Sequence, residues 1–344
     1  MKIGNRYIGE DSATFIIAEA GVNHNGSIDI AKELIDAAAT AGADAVKFQT
    51  FNSEKLASKF VQQAKYQKEN TGIEESQVEM LKRLELSYKD HILLKRYCEK
   101  KGIEFLSTPF DIDSAKFLKG LGVDAFKIGS GDLNNIPYLI ELDKLGLPVL
   151  LSTGMSNLSE IEESVSVLKE SDFALLHCTS NYPTPYEDVN LKAIQSLKRV
   201  FLKIVGYSDH TNGIEISIAA VTLGAKIIEK HFTLDRSMPG PDHKASLEPN
   251  ELKKLVESIR NTEKSLGDGI KRCMPSEIAT REVARKSLVV TKDLEPGDIL
   301  TDDTVTIKRP GNGLEPKYYS IIKGKSIKRS IKKDEVIQWN DVLC

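Results

Sequence analysis

Two lysines and two histidines stand where apolar, β-type runs end, and their chemistry is the first question the chain poses. Lys47 lies in AVKFQT and Lys127 in AFKIGS, runs that otherwise read as buried. An unpaired ammonium in such a place costs several kcal/mol or loses its proton. Each therefore needs an anion: a bound phosphate or carboxylate, or a glutamate paired across the interior. His210 closes IVGYSDH and His231 closes KIIEKHF. Their imidazoles could converge on one divalent metal, with water, substrate and Asp209 or Asp242 completing the set. A hydrogen-bonded structural pair is the other reading. Glu19, at the end of FIIAEA, is either a general acid/base or the partner of Lys47.

The remaining run ends are polar as well: Gln49, Ser107, Thr108, Ser130, Ser152, Thr153, Thr179, Ser180, Ser208 and Asp209. The other histidines read differently. His91, in SYKDHILLKRYCEKKG, is expected at the surface and His177 as a satisfied core imidazole, while His24 and His243 sit in loops beside the proposed mouth. Cys178 reads as core, since nothing marks it as an activated thiolate.

The elements that must position these groups follow from periodicity. Eight short β-rich runs recur at 15–20, 45–50, 103–109, 125–130, 148–154, 173–180, 204–210 and 226–232, with amphipathic helical patterns between them. IDIAKELIDAAATAGADA places its apolar residues at helical spacing before Gly42 ends the helix. Eight parallel strands with helical crossovers predict a (β/α)8 TIM barrel, whose chemistry gathers at the C-terminal strand ends. No GxGxxG turn follows the first strand, which argues against an open doubly wound sheet. The polar stretch from Thr50 to Arg83 is longer than a crossover needs and reads as an insertion near the barrel mouth. We expect the barrel over 1–270, a linker over 271–285, and a small β-rich module over 286–344 marked by PGD, PGNG and KKDE turns.

Composition narrows the function. The 344 residues carry a net charge of −3, which gives no general attraction to nucleic acid or an anionic membrane. The four cysteines form no CxxC pair, and no window has the run of apolar residues that a membrane span requires. A reducing cytoplasm is the expected setting.

With these residues in place, the sequence resembles the sialic acid synthase family, including the similar legionaminic acid synthases, over nearly its whole length. AEAGVNHNG, VKFQTF, STPFD, KIGSGDLNN, LSTGM, LHCTSNYPTPYEDVNL, GYSDHT, EKHFTLD, GPDHKASLEP and KRPGNG carry the resemblance, in that order. The C-terminal module looks like the family's antifreeze-like (SAF) domain. The resemblance implies a phosphoenolpyruvate pocket on Lys47, Thr108, Lys127, Ser130, Ser152, Ser180 and Ser208. It implies a metal, usually Mn2+ with Mg2+ or Co2+ as alternatives, on His210 and His231. Contacts to an acetamido sugar fall on Glu19, Gln49, Asp132, Tyr182 and Asp242, with Arg309 of the partner subunit reaching in from a domain-swapped homodimer. Some members carry Glu at the position of Asp132 and Asn at that of Ser180, so sugar and phosphate contacts shift there.

The implied catalytic residues are Glu19, Lys47, Lys127, His210 and His231. The implied reaction condenses phosphoenolpyruvate, an N-acetylated mannose-type sugar and water into a nonulosonic acid and phosphate, with N-acetylneuraminate as the expected product. Three rivals stand beside it: N,N'-diacetyllegionaminate synthesis, a Schiff-base aldolase acting through Lys127, and a carbohydrate- or ice-binding protein built on the antifreeze-like module.

Overall fold

Local signals set the helices. In the computed structural model, Ser27 caps the helix Ile28–Ala41 by accepting from the Ile30 N–H, and Gly42 ends it in the left-handed conformation. Asp111 and Gly122 bracket Ile112–Leu121 in the same way. The structure describes residues 1–58, 60–63, 67, 68, 70 and 75–343. Part of the predicted insertion and Cys344 thus lie outside the described residues. The rest of the insertion includes a helix at Gln77–Leu84, opened by a Ser76–Glu79 capping box.

The chain divides into two compact units, Met1–Gly267 and Asp268–Cys344. In the first, eight strands form one parallel sheet: β1 (Phe15–Gly21), β2 (Ala45–Thr50), β3 (Glu104–Pro109), β4 (Phe126–Ile128), β5 (Val149–Ser152), β6 (Phe173–Cys178), β7 (Val205–Asp209) and β8 (Ile227–His231). The ladder runs β3-β2-β1-β8-β7-β6-β5-β4, so β1 pairs with β8 and the sheet curls into a TIM barrel. Among the described residues no ladder joins β3 to β4, although the two strands lie side by side.

The period of two sorts side chains between two cores. Residues such as Ile16, Val46, Phe105, Leu151, Leu175 and Ile228 pack outward against the helices. Inward, Ile17, Ala45, Leu106, Ala125, Leu150, Leu176 and Ile227 fill the lower lumen. Gly206 completes that layer because there is no room for more: a Cβ there would lie 2.5 Å from Leu176 Cδ2 and 2.6 Å from the Ile227 carbonyl oxygen. Ile3 and Ile8, from the N-terminal hairpin of Lys2–Ile3 with Arg6–Tyr7, join the same cluster and stop the barrel floor.

The second unit has its own core of Leu288, Val290, Leu294, Leu300, Ile322, Ile327, Ile331 and Ile337. β9 (Ser287–Val290) pairs antiparallel with β10 (Val305–Lys308), and isolated bridges such as Leu294–Ile331 and Ile327–Val342 tie the remaining turns. The stretch 271–285 contains a helix at Ile278–Ala284. Among the described residues no helix is long and apolar enough to cross a membrane.

Candidate active site

Two residues above the apolar lumen layer, each of the eight strands turns one further side chain inward: Glu19, Lys47, Thr108, Lys127, Ser152, Cys178, Ser208 and Glu229. All eight are buried. The charged ones form a single network. Lys47 Nζ lies 2.7 Å from Glu19 Oε2 and 3.7 Å from Glu229 Oε2, and donates to Thr108 Oγ1 at 2.9 Å. Lys127 Nζ lies 3.6 Å from Glu229 Oε1 and donates to the Ile128 carbonyl, while Ser208 Oγ donates to Glu229 Oε1 at 2.9 Å. The glutamate reading for the lysines therefore holds in the isolated chain, and it does not displace the anion reading, because charge and hydrogen-bond capacity remain.

The two carboxyl groups are driven apart. Burial pushes Glu19 up to about 7, with Lys47 only partly opposing it. Burial also pushes Glu229 upward, but the ammoniums of Lys127 and Lys47 and the Ser208 hydroxyl outweigh it and hold the group at about 2. Burial lowers Lys127, whereas Glu19 and Glu229 overcome the same effect at Lys47 and raise it. Near neutrality the layer has one firmly ionised carboxylate facing two ammoniums, a cationic surplus with a titratable group beside it.

The next turn of the barrel mouth adds a cradle. The Gly154 N–H donates to Ser130 Oγ at 2.9 Å, and a Cβ on Gly154 would lie 2.8 Å from that oxygen and 2.4 Å from Ser180 Oγ. Ser130, Gly154 and Ser180 thus sit together above Ser152, whose buried hydroxyl has no hydrogen-bond partner. Such an unsatisfied group inside a protein calls for a ligand or water.

His210 and His231 also meet, with ring centroids 5.4 Å apart. His210 Nδ1 is 2.8 Å from the Thr179 carbonyl, so that nitrogen donates and Nε2 is the ring nitrogen left for a cation. His231 is held well below its usual range by burial and by the charges of His210 and Lys47, and its buried Nδ1 has no hydrogen-bond partner. Asp242 Oδ2 stands 4.0 Å from that nitrogen, and burial raises its carboxyl to about 6. Tyr182 closes one side, its ring 4.0 Å from His210 and 5.6 Å from His231. Among the described residues no group of three or more His, Cys, Asp or Glu side chains is set to hold a cation. Burial lowers His210, but Cys178, the Thr179 carbonyl and Glu229 outweigh it and raise the group, and a cation would have to displace a proton there; the two imidazoles, one with an orphaned ring nitrogen, fit an open metal site that substrate and water complete.

The remaining expected residues are placed less centrally. Gln49 Nε2 lies near Gly21 beside Glu19, and Asp132, raised by burial, ends the short turn Ser130–Asp132 after β4 and accepts from Asn135 Nδ2. Arg309 is exposed in the second unit.

Four side chains depart from expectation. Cys178 faces the lumen rather than the helix-packed core, with its sulfur 3.7 Å from His210 Nδ1, because Ala174, Leu176 and Cys178 share one strand face. Asp209 points the other way and is fully engaged there, so it does not join the metal set. His91 is buried, edge-on to Phe105 and Phe117, since it shares a helix face with Leu94 and Cys98. Glu229 was not anticipated; its spacing of two from His231 was the signal. His24 and His243 are buried and hydrogen-bonded, to Gly26 N–H and to Thr233 and Asn25 respectively.

Residues 34–271 match the NeuB family model and residues 285–343 the SAF domain model. An N,N'-diacetyllegionaminic acid synthase of Campylobacter jejuni is 51% identical over 94% of this chain and 99% of its own length. One from Legionella pneumophila is 47% identical over 97% and 96%. Among solved structures, the N-acetylneuraminic acid synthetase of Leptospira borgpetersenii, in complex with citrate, superposes with a TM-score of 0.72 at 43% identity, covering 81% of this chain and 94% of that one. The barrel, its charged lumen and the full-length matches agree: this chain belongs to the NeuB family.

Proposed function

We propose that the chain condenses phosphoenolpyruvate with an N-acetylated mannose-type sugar and water, giving a nonulosonic acid and phosphate, with N-acetylneuraminate as product. The observation that carries this reading is the lumen layer, where Lys47 and Lys127 face one firm carboxylate beside the Ser130–Gly154–Ser180 cradle. Phosphoenolpyruvate presents a phosphate and a carboxylate to match that surplus, and Ser152, Ser208 and Thr108 offer hydroxyls to its oxygens. Holding both anionic groups fixes the enol carbon toward the mouth and converts a bimolecular encounter into an oriented one.

A divalent cation on His210 and His231, Mn2+ with Mg2+ or Co2+ as alternatives, would supply Lewis acidity to the sugar aldehyde when bound. The enol carbon bonds to the aldehyde carbon, and water adds at the carbon that bears the phosphate ester. Phosphate then leaves with the bridging oxygen. Glu19, poised near 7 and paired as a carboxylate with Lys47 at 2.7 Å, accepts one proton of the incoming water and becomes neutral; the second leaves with the phosphate, and the former aldehyde oxygen takes up a proton to become a hydroxyl. Gln49, Asp132, Tyr182 and Asp242 line the route to the sugar. The homodimer, Arg309 of the partner subunit and a cytoplasmic setting belong to the same proposal, supported by resemblance in KRPGNG and by composition. Membership in the NeuB family supports the synthase reading over the aldolase and binding-protein alternatives.

A second sugar is favoured by a specific observation: the two relatives at 51% and 47% identity are N,N'-diacetyllegionaminic acid synthases. The deciding experiment measures phosphate release from phosphoenolpyruvate by EDTA-stripped protein with added Mn2+, comparing N-acetylmannosamine with 2,4-diacetamido-2,4,6-trideoxymannose. Faster turnover of the first supports N-acetylneuraminate synthesis, and preference for the second replaces it with legionaminate synthesis. No phosphate from either sugar would overturn the synthase reading.

A further inference from the structure

Asp209 and Lys230 take no part in the chemistry above, yet they form an ion pair almost closed to solvent, with side-chain exposures of 0% and 1%. They are register partners on β7 and β8, and their side chains lie on the outer face, opposite Ser208, His210, Glu229 and His231. Lys230 Nζ is 3.0 Å from Asp209 Oδ2 and donates to the Thr211 carbonyl at 2.5 Å. Asp209 Oδ1 accepts from the Thr211 N–H at 2.8 Å, the Thr211 hydroxyl at 2.7 Å and Tyr207 OH at 3.3 Å, and Oδ2 accepts from Ser217 Oγ at 2.6 Å.

His210 is thus bracketed in the chain by two residues, Asp209 and Thr211, that are both tied to Lys230, and Lys230 is the residue before His231. The surrounding face is apolar, with Val205, Tyr207 and Ile228 in the same core. A buried pair rarely stabilises a fold more than apolar residues filling the same space, so stability alone does not account for it. We propose that Asp209 and Lys230 are positioning residues: their clamp on the outside of the barrel sets the separation and aim of His210 and His231 inside it. The consequence for cation affinity rests on the reading of those histidines as the metal-holding pair.

The test uses the full-length Asp209→Leu/Lys230→Met double variant, which removes both charges and approximately keeps volume. In its metal-free crystal structure the ring separation, 5.4 Å here, is expected to change by about 1 Å, enough to spoil a preorganised site. Calorimetric titration of the metal-free protein with Mn2+ should show affinity lowered about 10- to 100-fold, as for other residues that orient ligands. Phosphoenolpyruvate binding in the absence of metal should be unchanged, which separates positioning from general loosening of the barrel. If the double variant fails to fold, the near-isosteric Asp209→Asn is read by the same measurements. An unchanged ring separation, or Mn2+ affinity equal to wild type, overturns the proposal. If the wild-type chain binds no Mn2+, the metal reading of the site is lost, and the ring separation by itself decides this inference.

Discussion

Glu229 and Lys230 are neighbours on one strand, yet their surroundings are built to opposite ends. Outward, Lys230 and Asp209 are bonded to each other and to Thr211, Ser217 and Tyr207, so that both carboxylate oxygens and the ammonium have partners. Inward, Glu229 lies 3.6 and 3.7 Å from two ammoniums, near but not touching, in a layer that also has an unpartnered Ser152 hydroxyl. Both groups are buried, and both impose desolvation on the fold. The difference teaches that burial of charge does not by itself mark function; incomplete satisfaction at a place open to substrate does.

That contrast can be broken in three steps. Lys127→Met removes half the lumen's cationic charge and should lower kcat/KM for phosphoenolpyruvate by about 10^3-fold, the loss expected for a group aimed at developing charge, while the melting temperature changes little. A large fall in melting temperature with modest loss of turnover would make Lys127 a structural ion-pair partner like Lys230. Glu19→Gln should cost about 10^2-fold in kcat and also erase a limb of the pH profile. Glu19 at about 7 is protonated below that pH and a competent base above it, so wild-type kcat/KM should rise as pH passes through about 7. A limb that persists in Glu19→Gln would assign the titration to another group. Gly154→Ala is the mildest: its Cβ would press on Ser180 and Ser130, and we expect KM for phosphoenolpyruvate to rise about tenfold at unchanged stability. Unchanged KM would remove the cradle from the anion site.

Much of this layout is legible in the sequence, because the barrel's repeat and the polarity of its strand ends are both one-dimensional signals. Lys47, Lys127, His210 and His231 stand out as charged or titratable residues in apolar runs. Glu229 is missed when only the last residue of each run is counted, although the lumen face of a strand continues inward every second residue. Cys178 is misplaced for the same reason, and His91 because its helix is mostly polar and buries only a narrow stripe. What no reading of one strand can supply is the pairing across strands. The 2.7 Å approach of Lys47 to Glu19, one of two readings open from the sequence, depends on barrel register, whereas the turning of Asp209 away from the histidines follows from the alternation of faces along its own strand.

The N-terminal hairpin, seated under the lumen through Ile3 and Ile8, closes the floor of the barrel and leaves the C-terminal mouth as the side that faces the polar layer. The lysine layer lies one inward-facing residue deeper on β7 and β8 than His210 and His231, so what occupies it lies below the histidines. On the proposed reaction, depth predicts an order of loading, with the small anion entering before the sugar that covers it; initial-rate kinetics with both substrates varied would check it.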